Sequence, residues 1–134
     1  MTERTGRCLC GAVSFKLDAE PLATRVCWCR DCQHLAANGS VNLLVSTDAL
    51  SIVGVLAEHT QKADSGNEVT RQFCPNCGSH LFAKSSARPQ FRVVRAGNAV
   101  ITSSTCTLLQ NERKRYNFYS CSFSNSMKIK ANLI

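Results

Sequence analysis

Glu68-Val69-Thr70-Arg71-Gln72-Phe73-Cys74-Pro75-Asn76-Cys77-Gly78-Ser79-His80-Leu81-Phe82 (68–82) reads as two extended segments joined by a thiol-bearing knuckle. Pro75 presets one turn dihedral, and Gly78 can take the positive φ needed just beyond the second cysteine. A C-x-x-C turn of this kind brings two sulfurs to one metal ion. The fold is therefore expected to be mainly β and pinned by metal.

Two further clusters lie upstream, Cys8-Leu9-Cys10 and Cys27-Trp28-Cys29-Arg30-Asp31-Cys32. Together the three hold seven of the nine cysteines. That makes one four-thiolate zinc site with three thiolates over, and a zinc held by three protein ligands keeps a position for substrate or water. In an extended strand, residues i and i+2 share a face, so Cys8 with Cys10, and Cys27 with Cys29, are each predicted to present two sulfurs from a strand. Joining 8/10 to 74/77 would tie the start of the chain to its middle and couple metal binding to folding. Cys27, Cys29 and Cys32 are local and sufficient for one ion. Spacing alone does not fix the pairing, and a closed second site could draw its fourth ligand from His34, His59, His80, Cys106 or Cys121.

Thiolates select zinc or iron–sulfur over magnesium or calcium. A disulfide scaffold fits poorly with an odd cysteine count and no export signal. A dithiol redox site at Cys74 and Cys77 would leave five clustered cysteines without a role. Zinc is the expected metal.

The remaining sequence sets the context. With 134 residues, 44% hydrophobic and 19% charged, the chain suits a single globular domain. No apolar run approaches the roughly 20 residues of a membrane helix, and the polar Met1–Arg7 segment has no signal-peptide core. A cytoplasmic location with reduced thiols is expected. The formal charge of +7 invites a nucleic-acid reading. Much of the excess, however, sits in Arg113-Lys114-Arg115 and Lys128–Lys130, with no basic stripe interleaved by aromatics near the cysteines.

Period-two alternation predicts short strands over Ala12–Leu17, Thr24–Cys29, Val41–Val45, Leu50–Val55, Glu58–Lys62, Glu68–Phe73, His80–Lys84 and Phe91–Arg95. Arg30–Ala37 suits one or two helical turns ended by Asn38-Gly39. Turns are expected at Ser46-Thr47-Asp48 and Asp64-Ser65-Gly66-Asn67.

Gly6-x-Cys8-x-Cys10-Gly11-Ala12-Val13, Cys27-x-Cys29-x-x-Cys32, and Arg71-x-Phe73-Cys74-x-x-Cys77-Gly78-Ser79-x-Leu81-Phe82, followed by Arg95-Ala96-Gly97, resemble the glutathione-dependent formaldehyde-activating enzyme family, which includes the centromere protein V group. The resemblance spans Gly6 to about Gly97 and implies a zinc-stabilised β-tent of small antiparallel sheets with little helix. It further implies two zinc ions per chain. Cys8, Cys10, Cys74 and Cys77 would hold a structural ion, and Cys27, Cys29 and Cys32 a catalytic one. The implied activity is that of a carbon–sulfur lyase joining the thiol of glutathione to formaldehyde or a related small aldehyde. A thiol taken up at the open zinc would lose its proton. The alternative is a non-catalytic zinc module for a protein or nucleic-acid partner.

Around the cysteines, Arg30 and Asp31 are candidates to steer glutathione carboxylates or order a thiolate, with a solvated loop as the simpler role. His34 is a candidate proton carrier, or a surface helix residue. Trp28 stands where the family often has histidine, and packing is its expected role. His80 is expected as a strand residue near the first metal. From Asn98 the sequence departs from the family pattern. Residues 1–97 are thus expected to form the zinc-binding domain and 98–134 a divergent tail, from a shifted reading frame or a replaced C-terminus.

Overall fold

A computed structural model describes residues 4–99. Cys106, Cys121 and the rest of the expected tail beyond Ala99 lie outside the described residues. The elements are β1 (Arg4–Arg7), β2 (Ser14–Leu17), β3 (Ala23–Cys27), α1 (Arg30–Ala36), β4 (Ser40–Ser46), β5 (Leu50–Val53), β6 (Ala57–Lys62), β7 (Glu68–Phe73), β8 (His80–Ser85) and β9 (Phe91–Arg95), with single 3-10 turns at Thr47–Ala49 and Ala96–Asn98. They form two antiparallel sheets, one of order β1-β2-β5 and one of order β3-β4-β9-β8-β7-β6. This is the expected mainly β architecture with little helix.

The larger sheet has two different faces, and the alternation of side chains along each strand explains them. One face carries Leu43, Val45, Phe82 and Val94, which pack with Val13, Phe15 and Leu17 of the smaller sheet's side to make the core. Phe15 meets Phe82 edge-on, with ring centroids 5.2 Å apart. The opposite face carries Asn42, Arg71, Ala83, Val93 and Arg95. Register places Asn42 beside Arg95, Leu44 beside Val93, Val93 beside Ala83, and Ala83 beside Arg71. These residues, with Cys29 to Cys32 around the start of α1, line one cavity. The sheet thus divides hydrophobic core from polar site.

Three local expectations are corrected. Cys8 and Cys10 sit not in a strand but in the turn between β1 and β2, where Gly11 adopts φ 81° and its N–H reaches the Cys8 carbonyl at 3.2 Å. Cys27 ends β3 while Cys29 already caps α1, so that pair bridges a strand end and a helix start. The helix terminates through Ala37, which takes the left-handed conformation (φ 53°) that Asn38-Gly39 was expected to supply. One strand was also missed. Arg4–Arg7 has no apolar alternation, and it pairs with β2 because Gly6 leaves room against the Phe15 ring and the Asn98 carbonyl.

Candidate metal centre

The β1–β2 turn and the β7–β8 knuckle bring the sulfurs of Cys8, Cys10, Cys74 and Cys77 within 4.8 Å of one another. Cys8 Sγ lies 3.5 Å from Cys10 Sγ, and Cys10 Sγ lies 3.8 Å from Cys74 Sγ. Zinc–sulfur bonds of about 2.3 Å in a tetrahedron require sulfurs about 3.8 Å apart. The donor set fits a zinc ion, and the spacing is far beyond the roughly 2.05 Å of a disulfide. Cys8 and Cys74 are buried in the core, whereas Cys10 is exposed.

The knuckle is built as its composition requires. The Gly78 N–H donates to the Cys74 carbonyl at 2.9 Å with Gly78 at φ 73°, and the Cys74 N–H donates to the Ser79 carbonyl at 3.0 Å. Ser79 Oγ stands 3.2 Å from Cys77 Sγ and accepts from the Leu9 N–H at 3.1 Å, which ties the two turns together. The Ser79 hydroxyl and backbone N–H, with the Cys10 backbone, pull the Cys77 thiol down to about 5. The Cys8 sulfur accepts from the Val13 N–H at 3.2 Å.

The second set, Cys27, Cys29 and Cys32, also has all its sulfurs within 4.8 Å. Register pairs Cys27 with Ser40 across β3 and β4. Cys29 Sγ, at the helix cap, accepts from the Cys32 N–H at 3.5 Å. Burial pushes the Cys32 thiol up to about 12, helped by the adjacent Cys27. For Cys29 burial acts in the same direction but is outweighed, and the Cys32 N–H with the Cys27 and Cys32 thiols lowers it. Three converging sulfurs of unequal acidity fit a cation better than three shared protons. Among the described residues, no histidine or carboxylate joins either set.

Arg95 braces this trio. Its Nη1 lies 3.9 Å from Cys32 Sγ and donates to Asn42 Oδ1 at 2.5 Å and to Ser40 Oγ. Asp31, a candidate to steer glutathione carboxylates or order a thiolate with a solvated loop as the simpler role, lies on the expected helix α1 and receives Arg71 Nη2 at 2.6 Å and Gln61 Nε2 at 2.7 Å, fixing the helix to β7 and β6. An open cleft on the outer side of α1 is lined by Trp28, Arg30, Gln33, His34, Ala37 and Asn38. Trp28 is half-exposed there, its ring lying so close to Gly39 that a Cβ would collide with it. His34 belongs to this cleft. His80 starts β8 against the Phe73 ring, with centroids 5.5 Å apart.

Arg95, Ser40 and Asn42 were not singled out as site residues by sequence. The available signal was polar residues at Ser40 and Asn42, two apart, in a strand otherwise apolar at Val41, Leu43, Leu44 and Val45.

A family model described as glutathione-dependent formaldehyde-activating enzyme matches residues 3–116. A Halomonas elongata protein bearing that enzyme's name is 34% identical over 83 residues, covering 58% of this chain and 53% of its own length. The chain thus spans about half the length of that curated relative. A crystal structure of a Rhodobacter sphaeroides protein superposes with a TM-score of 0.59 at 19% identity, covering 75% of this chain and 91% of that one. The likeness extends to the fold.

Proposed function

The chain belongs to the glutathione-dependent formaldehyde-activating enzyme family, and from that membership we propose that it joins the thiol of glutathione to formaldehyde or a related small aldehyde at Cys27, Cys29 and Cys32. In this reading the chain carries two zinc ions. Cys8, Cys10, Cys74 and Cys77 hold the one that closes the fold. Residues 1–97 are the zinc-binding domain and the segment from Asn98 its divergent tail.

The observation that supports it is the three-sulfur set at the edge of a cavity, with no fourth protein donor among the described residues. A zinc ion bound there supplies a Lewis acid that favours the deprotonated thiol. The chain's own residues do the rest. Arg95 holds Cys32 against β4, Asp31 and Arg71 lock α1 over the sheet, and the outer cleft beside Trp28, Arg30 and His34 offers a cation and an aromatic face to the peptide part of glutathione.

Cobalt substitution tests this. Glutathione should shift the visible spectrum of the cobalt-loaded chain. Cys29→Ser should abolish that shift, lower metal content from two ions to one and remove turnover, while thermal unfolding stays cooperative. An unchanged spectrum in the parent would mark a closed site and favour a non-catalytic zinc module.

A further inference from the structure

The cavity under α1 has a floor that differs in kind from its walls. Three neighbouring strands bring Val69, Ala83 and Val93 together on the otherwise polar face of the larger sheet. Ala83 stands between Arg71 and Val93 in register, and Val69 is the next residue of β7 on the same side as Arg71. Val69 and Ala83 are buried. The space they floor has a volume of about 70 Å³. A cavity of roughly 150 Å³ accommodates the six carbons of benzene, about 25 Å³ for each, so about three heavy atoms fill this one.

The polar groups of the wall are engaged with one another. Asp31 accepts from Arg71 Nη2 and Gln61 Nε2, and Arg71 Nη1 is buried away from the space. Asn42 Oδ1 accepts from Arg95 and from Ser40, and Arg95 Nη1 also lies against Cys32. Arg30 and Asp64, the exposed lining residues, carry opposite charges and favour neither sign of ligand. What the cavity offers an incoming molecule is hydrocarbon contact along the floor, with the sulfurs of Cys29 and Cys32 at its side. Formaldehyde has no hydrocarbon group to lay there. Val69, Ala83 and Val93 all fall outside the three cysteine motifs and outside Arg95-Ala96-Gly97, so a preference carried by this floor belongs to this chain.

We propose that the floor is a subsite for the methyl group of a neutral two-carbon aldehyde, acetaldehyde having the three heavy atoms that fill the space, and that Ala83 sets the size limit. The proposal rests on the thiol–carbonyl addition above and narrows its carbonyl partner. In the reaction the C–S bond forms as the C=O π pair moves onto oxygen. That oxygen takes the proton the thiol has released, so nothing is oxidised or reduced. One methyl group seated in an apolar pocket changes the specificity ratio by about tenfold or more.

The zinc-loaded full-length chain is assayed by exchange NMR with glutathione and formaldehyde, acetaldehyde or butyraldehyde. Each kcat/KM is divided by the rate constant of the uncatalysed addition, which removes the unequal reactivity of the aldehydes. On that scale acetaldehyde should exceed both others by about tenfold. Ala83→Val adds two methyl groups to the floor and should lower the acetaldehyde-to-formaldehyde ratio about tenfold, through the KM for acetaldehyde. Val93→Ala takes two away and should raise butyraldehyde above acetaldehyde. Equal or better use of formaldehyde by the parent overturns the proposal and leaves the family activity standing. Equal use of butyraldehyde by the parent, or an unmoved preference in a variant that folds, also overturns it.

Binding without turnover is the independent arm. Xenon, which enters apolar cavities, should shift the methyl resonances of Val69, Ala83 and Val93 in the zinc-loaded parent with no thiol or aldehyde present. This shift supports the subsite even if the cobalt experiment shows no glutathione uptake, in which case only the thiol reading fails. No shift with xenon overturns the subsite, including if neither variant folds.

Discussion

Arg95 shows how one side chain can link three strands to a cysteine of the three-sulfur set. It ends β9, reaches Asn42 and Ser40 on β4, and through Ser40's cross-strand neighbour stands at the Cys27 end of β3 while touching Cys32. Its charge is also felt nearby. Burial first, then Arg95 and Arg71, keep the His80 ring below its ordinary value of 6.5, and its Nδ1 is buried without a partner. The unfolded chain takes up a proton near 6.5 where the folded chain resists it, so this histidine's stabilising contribution is present above that pH and declines as pH falls through it. Urea unfolding at pH 7.5 and 5.5 should show the parent losing more stability on acidification than His80→Gln. Equal losses would mean that another group governs the acid limb.

At the scale of elements, α1 is short and depends on its surroundings. Seven residues cannot sustain a helix alone. Cys29 caps its start, and the Asp31–Arg71 pair of 2.6 Å anchors its first turn. Its exit is strained, because Ala37 occupies a conformation that costs an L-residue roughly 1–2 kcal/mol. Ala37→Gly relieves that cost against a smaller loss of chain entropy, so it should raise unfolding stability by up to about 1 kcal/mol in a denaturant titration. The helix itself was legible from Leu35-Ala36-Ala37, and eight of the nine described strands from alternation. The strand at Arg4–Arg7 was not, since its pairing depends on a missing side chain at Gly6 and on a distant carbonyl at Asn98. The cysteine clusters were visible as spacing. That Asp31 faces Arg71 and Arg95 faces Cys32 was not, because sheet register decides which residues become neighbours at separations of 40 and 63.

For the molecule as a whole, the four-cysteine set is where the two sheets meet. Cys8 and Cys74 are core residues as well as sulfur donors, fully enclosed with Val13, Leu81 and Phe82. If the four-cysteine set holds zinc as proposed, Cys74→Ser takes away one of its sulfurs and buries a hydroxyl in the core, so it should abolish cooperative unfolding, whereas Cys29→Ser should not. Circular dichroism melts of both variants, with metal content measured alongside, check the contrast. Similar melts would mean that the two clusters share the structural load. A strong chelator applied to the zinc-treated parent should reproduce the Cys74→Ser melt.

The separation between the two turns also imposes an order on synthesis. Cys10 and Cys74 are 64 residues apart, so at about 5–20 residues per second the first turn leaves the ribosome several seconds before its partner exists. Cys27, Cys29 and Cys32 emerge together within that interval. The nascent chain can therefore assemble the set of Cys27, Cys29 and Cys32 before it can close the four-cysteine set that joins its sheets, and the β1–β2 hairpin must wait with two free thiols until about three-quarters of the described residues have been made.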